Sequence, residues 1–239
     1  MSQVKTFKTK IFFDGADLEK MKSSLKNPLV KGVTTNPTLM KKAGVKNYKE
    51  FAQMMLNAVG DLPVSFEVFS DELVDMQKQA ETIASWGKNI YVKIPVTNTK
   101  GQSTAPIIKA LTQQNIKLNV TAILTLQQVK EVCEALKGGA PSIVSVFAGR
   151  IADTGLNPTP IMKESLAICR ATGPQVELLW ASPRQILNLV DADQVGCDII
   201  TMTPDLINKI SVLGKDLQEL SLDTVKMFYN DAKLAELSL

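Results

Sequence analysis

Two rhythms of apolar and polar positions follow one another along this chain. Short runs rich in β-branched and aromatic residues read as strands. Between them lie longer segments whose apolar residues recur every three or four positions, the period of an amphipathic helix. The first run, IFFDGA (Ile11 to Ala16), precedes DLEKMKSSLK. The second, KGVTTN (Lys31 to Asn36), precedes Pro37, which suits the first turn of a helix; helical patterns then run through TLMKKAG and YKEFAQMMLNAVG. VSFEVFS (Val64 to Ser70) leads into DELVDMQKQAETIASWG, with an acidic start and a glycine stop. IYVKIPV (Ile90 to Val96) is followed by APIIKALTQQN, and KLNVTAIL (Lys117 to Leu124) by TLQQVKEVCEALKGG, which Thr125 caps. SIVSVFAG (Ser142 to Gly149) passes through a longer loop, RIADTGLNPTP, into IMKESLAICRAT. VELLWASP and DIITMTP (Asp198 to Pro204) are the last two runs, each with its helical partner, and SLDTVKMFYNDAKLAEL closes the chain.

Eight strands alternating with helices predict one parallel (β/α)8 barrel, with residues 215–239 as a C-terminal helical extension of a single domain over 1–239. An open doubly wound sheet is the alternative. It calls for a topological switch point and usually a glycine-rich nucleotide loop, and neither G-x-G-x-x-G nor G-x-x-x-x-G-K-[ST] occurs. On the last helix, Met227, Phe228 and Tyr229 could pack on the barrel or reach a neighbouring subunit.

Composition narrows the function. The chain is 45% hydrophobic and 21% charged, with a net charge of +3 and basic residues interleaved with acidic ones. That excludes an electrostatic case for nucleic acid or membrane binding. No apolar run is long enough to span a bilayer, and MSQVKTFKTK lacks the apolar core of a secretory leader. Cys133, Cys169 and Cys197 are widely spaced and odd in number; they fit reduced thiols in a cytoplasm and form no metal motif. The chain has no histidine. Ser-His and Cys-His nucleophile pairs and histidine metal sites are therefore excluded, and chemistry must run on Lys, Asp, Glu, Tyr, Ser, Thr or backbone groups.

That restriction draws attention to Lys93, in the middle of IYVKIPV. Burial disfavours an ammonium and favours the neutral amine, the form that attacks carbonyls. A lone lysine on a solvent-facing strand would need no such role, but Lys93 has company. In barrels of this type chemistry sits at the C-terminal ends of the strands, where residues i and i+2 share a face. Those ends carry Asp14, Thr34 with Asn36, Glu67 with Phe69, Lys93, Asn119 with Thr121, Ser145 with Phe147, and Ser182 with Arg184; Arg150 follows strand six. Bland readings exist for each. Asp14 could as readily cap the next helix, and for Asn36 before Pro37 a cap is the better single-residue reading. Asn119 and Thr121 could satisfy backbone groups, the arginines could form surface ion pairs, and the phenylalanines read as wall. Glu67 between Phe66 and Val68 needs a partner or a role. Seven successive strands placing polar groups at one rim favour a small-ligand site.

GVTTNPTLM (Gly32 to Met40), YVKIPVT, KLNVTAILT, SVFAGRI, WASPRQ and GCDIITMTPDLI, in that order, resemble the signatures of the transaldolase family, in its compact transaldolase and fructose-6-phosphate aldolase group. The resemblance implies a Schiff-base aldol transfer with no metal or organic cofactor. Lys93 would attack the ketose carbonyl, and Asp14 would take the C4 hydroxyl proton. Glu67, through a water held with Thr121, would move protons during carbinolamine formation. Asn36, Asn119 and Ser145 would hold the dihydroxyacetone unit, Ser182, Arg184 and Arg150 would bind the phosphate, and Phe147 would line the substrate pocket. Fructose-6-phosphate aldolases of the group carry Gln and Tyr where this chain has Glu67 and Phe147, which favours transfer between sugar phosphates in the non-oxidative pentose phosphate pathway. The alternatives are a fructose-6-phosphate aldolase or a transaldolase for 6-deoxy-6-sulfofructose. Departures from the family pattern, Val146, Ala148 and Pro183 among them, fall around the distal anion pocket. In the family this chain resembles, compact relatives form rings of five or ten subunits and longer ones are dimers or monomers, so a homo-oligomer is expected, in which Ser221 to Leu237 could be the exchanged helix.

Overall fold

The structure, a computed structural model, describes residues 6–236 of the chain. Residues 1–5, half of the stretch weighed as a leader, and residues 237–239, where the C-terminal extension ends, lie outside the described residues. The strands are β1 Lys10–Asp14, β2 Val30–Thr34, β3 Val64–Glu67, β4 Ile90–Pro95, β5 Leu118–Ile123, β6 Ser142–Val146, β7 Val176–Trp180 and β8 Ile199–Met202. The helices are α1 Leu18–Leu25, α2 Pro37–Lys42, α3 Tyr48–Val59, α4 Leu73–Ala84, α5 Ala105–Gln113, α6 Leu126–Leu136, α7 Ala148–Asp153, α8 Thr159–Thr172, α9 Leu187–Val195, α10 Pro204–Asn208 and α11 Leu217–Leu234. All strand pairs are parallel, and β1 bonds to both β2 and β8. The sheet is thus a closed eight-stranded (β/α)8 barrel.

Local sequence fixes where the helices begin. The Asp17 carboxylate accepts the N–H groups of Glu19 and Lys20, both at 3.0 Å, so it caps α1 and leaves Asp14 uncommitted to that role. Asn36 accepts the Leu39 N–H at 2.9 Å and Pro37 opens α2. Thr125 and Gln128 form a reciprocal capping box on α6.

Strand alternation divides the core into two compartments. Outward residues such as Phe13, Val33, Phe66, Val92, Val120 and Trp180 pack against the helices. Inside the barrel a smaller cluster of Phe12, Ile143, Leu179, Ala181 and Ile199, joined by Tyr91 and Phe147, forms a floor. The inward row of β1 therefore reads Lys10, Phe12, Asp14. Lys10 pairs with Glu177 of β7 at the bottom, Phe12 belongs to the floor, and Asp14 stands at the mouth. The floor separates the polar mouth from the lower end of the barrel.

Three expectations from sequence change in the structure. β3 stops at Glu67, because the Gln79 side chain of α4 takes the N–H groups of Phe69 and Ser70, both at 2.9 Å. Phe69 consequently leaves the barrel, lies 64% exposed and packs on Tyr48. β6 ends at Val146, and the supposed strand end and loop start form α7: the N–H groups of Arg150 and Ile151 close onto the Phe147 carbonyl. β7 ends at Trp180, before Ser182 enters the left-handed region at φ 57°.

The floor leaves no room for a side chain at position 32. A Cβ added to Gly32 would lie 2.6–2.7 Å from three ring atoms of Phe12. Gly32→Ala should cost about 1–3 kcal/mol by overpacking. Adding Phe12→Leu should recover part of it, read as denaturant midpoints of the single and double variants.

Candidate active site

Neighbouring strands set the centre of the site by register alone. Glu67 of β3 pairs with Lys93 of β4, and Lys93 with Asn119 of β5. All three side chains project into the barrel mouth. Lys93 Nζ lies 3.0 Å from Glu67 Oε2, with the two side chains 9% and 15% exposed. It also donates to the Thr35 carbonyl at 2.9 Å. A partly desolvated ammonium is tolerated there because a carboxylate and a carbonyl both face it. The Glu67 backbone is held from outside: the Tyr48 hydroxyl on α3 donates to its carbonyl at 2.9 Å, and burial raises the Tyr48 pKa.

Asp14 faces the same space from β1. Burial raises its pKa above the ordinary carboxylate value, against the opposing pull of the Lys93 charge and a hydrogen bond from Thr34. Thr34 donates to Asp14 Oδ1 at 2.8 Å and also contacts the Thr201 hydroxyl on β8. A hydroxyl has one proton; with Thr34's given to Asp14, Thr201 must donate to Thr34. The order is therefore Thr201 to Thr34 to Asp14.

Opposite lies a second chain. Ser145 donates to Asn119 Oδ1 at 2.6 Å, and Asn119 Nδ2 donates to Ser65 Oγ at 3.0 Å, so both ends of the amide are engaged. Thr121 shares the inward face with Asn119, and its buried hydroxyl finds no partner among the described residues. Just beyond it β5 carries a bulge, with Ala122 at φ 61°. A non-glycine residue in that region stores backbone strain that its surroundings must hold.

These groups line a cavity of about 500 Å³, within the usual range for small-molecule sites. Asp14, Asn36, Glu67, Lys93, Asn119, Thr121, Ser145, Phe147, Arg150 and Ser182 all border it. Asn36 does so while capping α2, so its carbonyl is committed and its amide donors are not. Arg150 lies 5.4 Å from the centre of the Phe147 ring, a cation–π approach at the rim. Arg184 is the exception among the residues expected here. It is not in the lining; its guanidinium grips Asp153 of α7 on the outside, with Nε 3.0 and 3.1 Å from the two carboxylate oxygens. The reversed backbone at Ser182 accompanies this departure from simple strand alternation. A larger, more open cleft of about 950 Å³ between α1, α3 and α10 shares only Asp14 and Leu39 with the cavity.

Sequence reasoning missed Thr201, Ser65 and the Thr35 carbonyl. The first two were within reach of the rule that found the others: Thr201 lies between Ile200 and Met202, and Ser65 lies two before Glu67. The carbonyl leaves no trace in a side-chain pattern. Among the described residues no group of three His, Cys, Asp or Glu is arranged to hold a metal ion, and no helix is long and apolar enough to cross a membrane.

Residues 11–239 match the family model described as transaldolase/fructose-6-phosphate aldolase. The chain belongs to that family. A relative in Dehalococcoides mccartyi named probable transaldolase is 34% identical over 193 residues, covering 81% of this chain and 86% of the relative. One in Methanococcus maripaludis with the same name is 35% identical over 201 residues, covering 84% and 89%. Among solved structures, dihydrodipicolinate synthase from Rhodopseudomonas palustris superposes with a TM-score of 0.57 at 12% identity, covering 98% of this chain and 83% of that one. KGPDC from Streptococcus mutans gives 0.58 at 11% identity, covering 85% and 91%. At such identities these two show the barrel fold alone. Family membership makes the chain an enzyme of aldol chemistry, of the aldolase or transaldolase kind.

The Lys93–Glu67 pair can be tested without substrate. Glu67→Gln and Lys93→Met should each cost about 2–4 kcal/mol at neutral pH, because each strands a charge in a poorly hydrated place. The double variant should lose clearly less than the sum, and simple additivity in urea midpoints would contradict the pairing.

Proposed function

We propose that this protein is a transaldolase that moves a dihydroxyacetone unit from fructose 6-phosphate or sedoheptulose 7-phosphate to an aldose phosphate through a Schiff base on Lys93. The observation that carries the reading is the meeting, in one cavity, of a lysine paired with Glu67 and a separate carboxylate, Asp14, whose pKa is raised by burial. Proton transfer from the Lys93 ammonium to Glu67 leaves a neutral amine to attack the ketose carbonyl. Glu67 then returns the proton as the carbinolamine loses water, aided by a water held at Thr121. Asp14 takes the proton of the C4 hydroxyl; the C3–C4 bond breaks, its electron pair flows into the protonated imine, and the aldehyde leaves. The remaining enamine attacks a second aldehyde, and the steps run in reverse. A protonated imine accepts the electrons itself, so these steps call on no metal or organic cofactor.

Asn36, Asn119 and Ser145 are positioned to bind the hydroxyls of the three-carbon unit. Phe147 offers no acidic hydroxyl to protonate the enamine, which supports transfer over release of free dihydroxyacetone. At the outer end Arg150 and Ser182 receive the anion. With Arg184 engaged by Asp153, Arg150 is the lining's guanidinium not committed to a carboxylate among the described residues. That supports a second reading, in which the ketose carries a singly charged group such as a sulfonate. We place the enzyme in the cytoplasm, on its odd and scattered cysteines. We also expect several copies to assemble, since α11 has no buried residue and exposes Leu217, Val225, Phe228 and Tyr229.

The test is borohydride trapping in parallel with fructose 6-phosphate and 6-deoxy-6-sulfofructose, followed by peptide mapping. A three-carbon adduct on Lys93, lost in Lys93→Ala together with transfer to an aldehyde acceptor, is expected. Transfer surviving in Lys93→Ala sinks the mechanism, and an adduct from the sulfonate alone moves the substrate to the second reading. Release of free dihydroxyacetone at the same rate with and without acceptor would make it an aldolase.

A pH profile tests Asp14. It acts as a carboxylate, so transfer is full above its pKa and falls as pH drops through it. Because burial raises that pKa, the acid limb of kcat/KM should begin at higher pH than an ordinary aspartate would give. Thr34→Val removes a hydrogen bond that favours the charged form and should move the limb higher still; an unmoved limb assigns it to another group.

A further inference from the structure

Two loops meet at the outer end of the cavity, and each brings one residue to it. Arg150 comes from the first turns of α7, and Ser182 from the segment after β7. The same two loops touch at two further points. At the first, the Gly149 N–H donates to the Ala181 carbonyl at 3.2 Å, and the Ser182 carbonyl occupies the space where a side chain at 149 would begin. A Cβ there would lie 1.5 Å from that oxygen, so only glycine fits. At the second point Asp153, three residues after Arg150 on α7, binds the guanidinium of Arg184, two residues after Ser182. Nε reaches both carboxylate oxygens and a terminal nitrogen reaches Oδ2.

We propose that Asp153 is a positioning residue for substrate specificity: through Arg184 it holds Arg150 and Ser182 at the spacing that receives the ketose's terminal anion. The proposal rests on the sugar-anion reading of the cavity given above. Ala148 and Ile151 seat the base of α7 in the core, but its last residues are exposed, and the Gly149 contact alone leaves that end free to shift. A forked, two-bond ion pair at the far end of the helix removes that freedom, because it fixes orientation as well as distance. Arg184 is itself held by its backbone N–H, which donates to Asn188 Oδ1 at 2.8 Å. Ser182 needs such support, since its left-handed backbone persists only where the surroundings over-determine it. Arg184 lowers the Asp153 pKa and Asp153 raises that of Arg184, so the clamp stays ionised through the neutral range. Arg184 thus acts on the anion at one remove.

The experiment compares wild type, Asp153→Asn and Asp153→Glu, all as the full chain. Asp153→Asn should raise the half-saturating fructose 6-phosphate about fivefold, the equivalent of a well-formed exposed ion pair. Turnover at saturation should hold, as should trapping of Lys93 by dihydroxyacetone, which carries no anion. Asp153→Glu should restore part of the loss. An unchanged half-saturation overturns the proposal. A lowered one also does, because Asp153 would then be withholding Arg184 from the anion. A parallel loss of dihydroxyacetone trapping overturns it too, as general damage. Calorimetric affinity for inorganic phosphate keeps two failures apart. If wild type forms no imine, the catalytic reading falls, while weaker phosphate binding in Asp153→Asn still upholds the clamp.

Discussion

An ammonium and a carboxylate face each other inside the mouth of a closed barrel, and the rest of the site is arranged around the cost of keeping them there. Neither charge is fully hydrated, so each depends on the other and on fixed dipoles. Glu67 supplies the countercharge to Lys93 and the Thr35 carbonyl a further acceptor. Strand register brings the first two together without any loop. Parallel pairing puts Glu67 beside Lys93 and Lys93 beside Asn119, so the spacing of these side chains is the spacing of the sheet. The apolar floor of Phe12, Ile143, Leu179 and Ile199 lies below them and leaves the mouth as the way in.

Around that pair the polar groups form two oriented chains. Thr201, Thr34 and Asp14 make one; Ser145, Asn119 and Ser65 make the other. The first runs toward a carboxylate, which sets the direction of its protons, and the second engages both ends of the Asn119 amide before any ligand arrives. The two carboxylates then differ by environment. Glu67 is bound to the lysine, whereas Asp14 accepts from a threonine and is pushed upward by burial. Two carboxyl groups in one cavity thereby sit in different electrostatic environments.

The barrel was legible in the sequence because alternation of strand and helix patterns is a long-range, repeated signal. The inward residues Asp14, Glu67, Lys93, Asn119 and Ser145 were legible because side-chain direction in a strand has period two. That rule fails where strands end. Gln79, far along α4, draws Phe69 out of the barrel, and no local pattern announces it. Phe147 closes a helical turn where a strand was expected, and the reversed backbone at Ser182 precedes an Arg184 that turns away from the cavity. The first miss is a tertiary contact overriding a local pattern, and the other two are backbone turns that strand periodicity does not encode. Asp153, the partner of Arg184, lay in a segment that read as loop, and its ion pair came to light only with α7.

The contact between Gly149 and Ser182 also bears on how this scaffold could be redesigned. The carbonyl of one loop fills the volume that a side chain on the other would need, so the two cannot be exchanged independently. Grafting a foreign loop after β6 without its partner after β7 would bring in a mismatched backbone, even with every ligand-facing residue retained. The two segments form a single cassette. Reshaping this end of the barrel means transplanting residues 147–154 and 181–188 as a matched set, with selection acting on the pair.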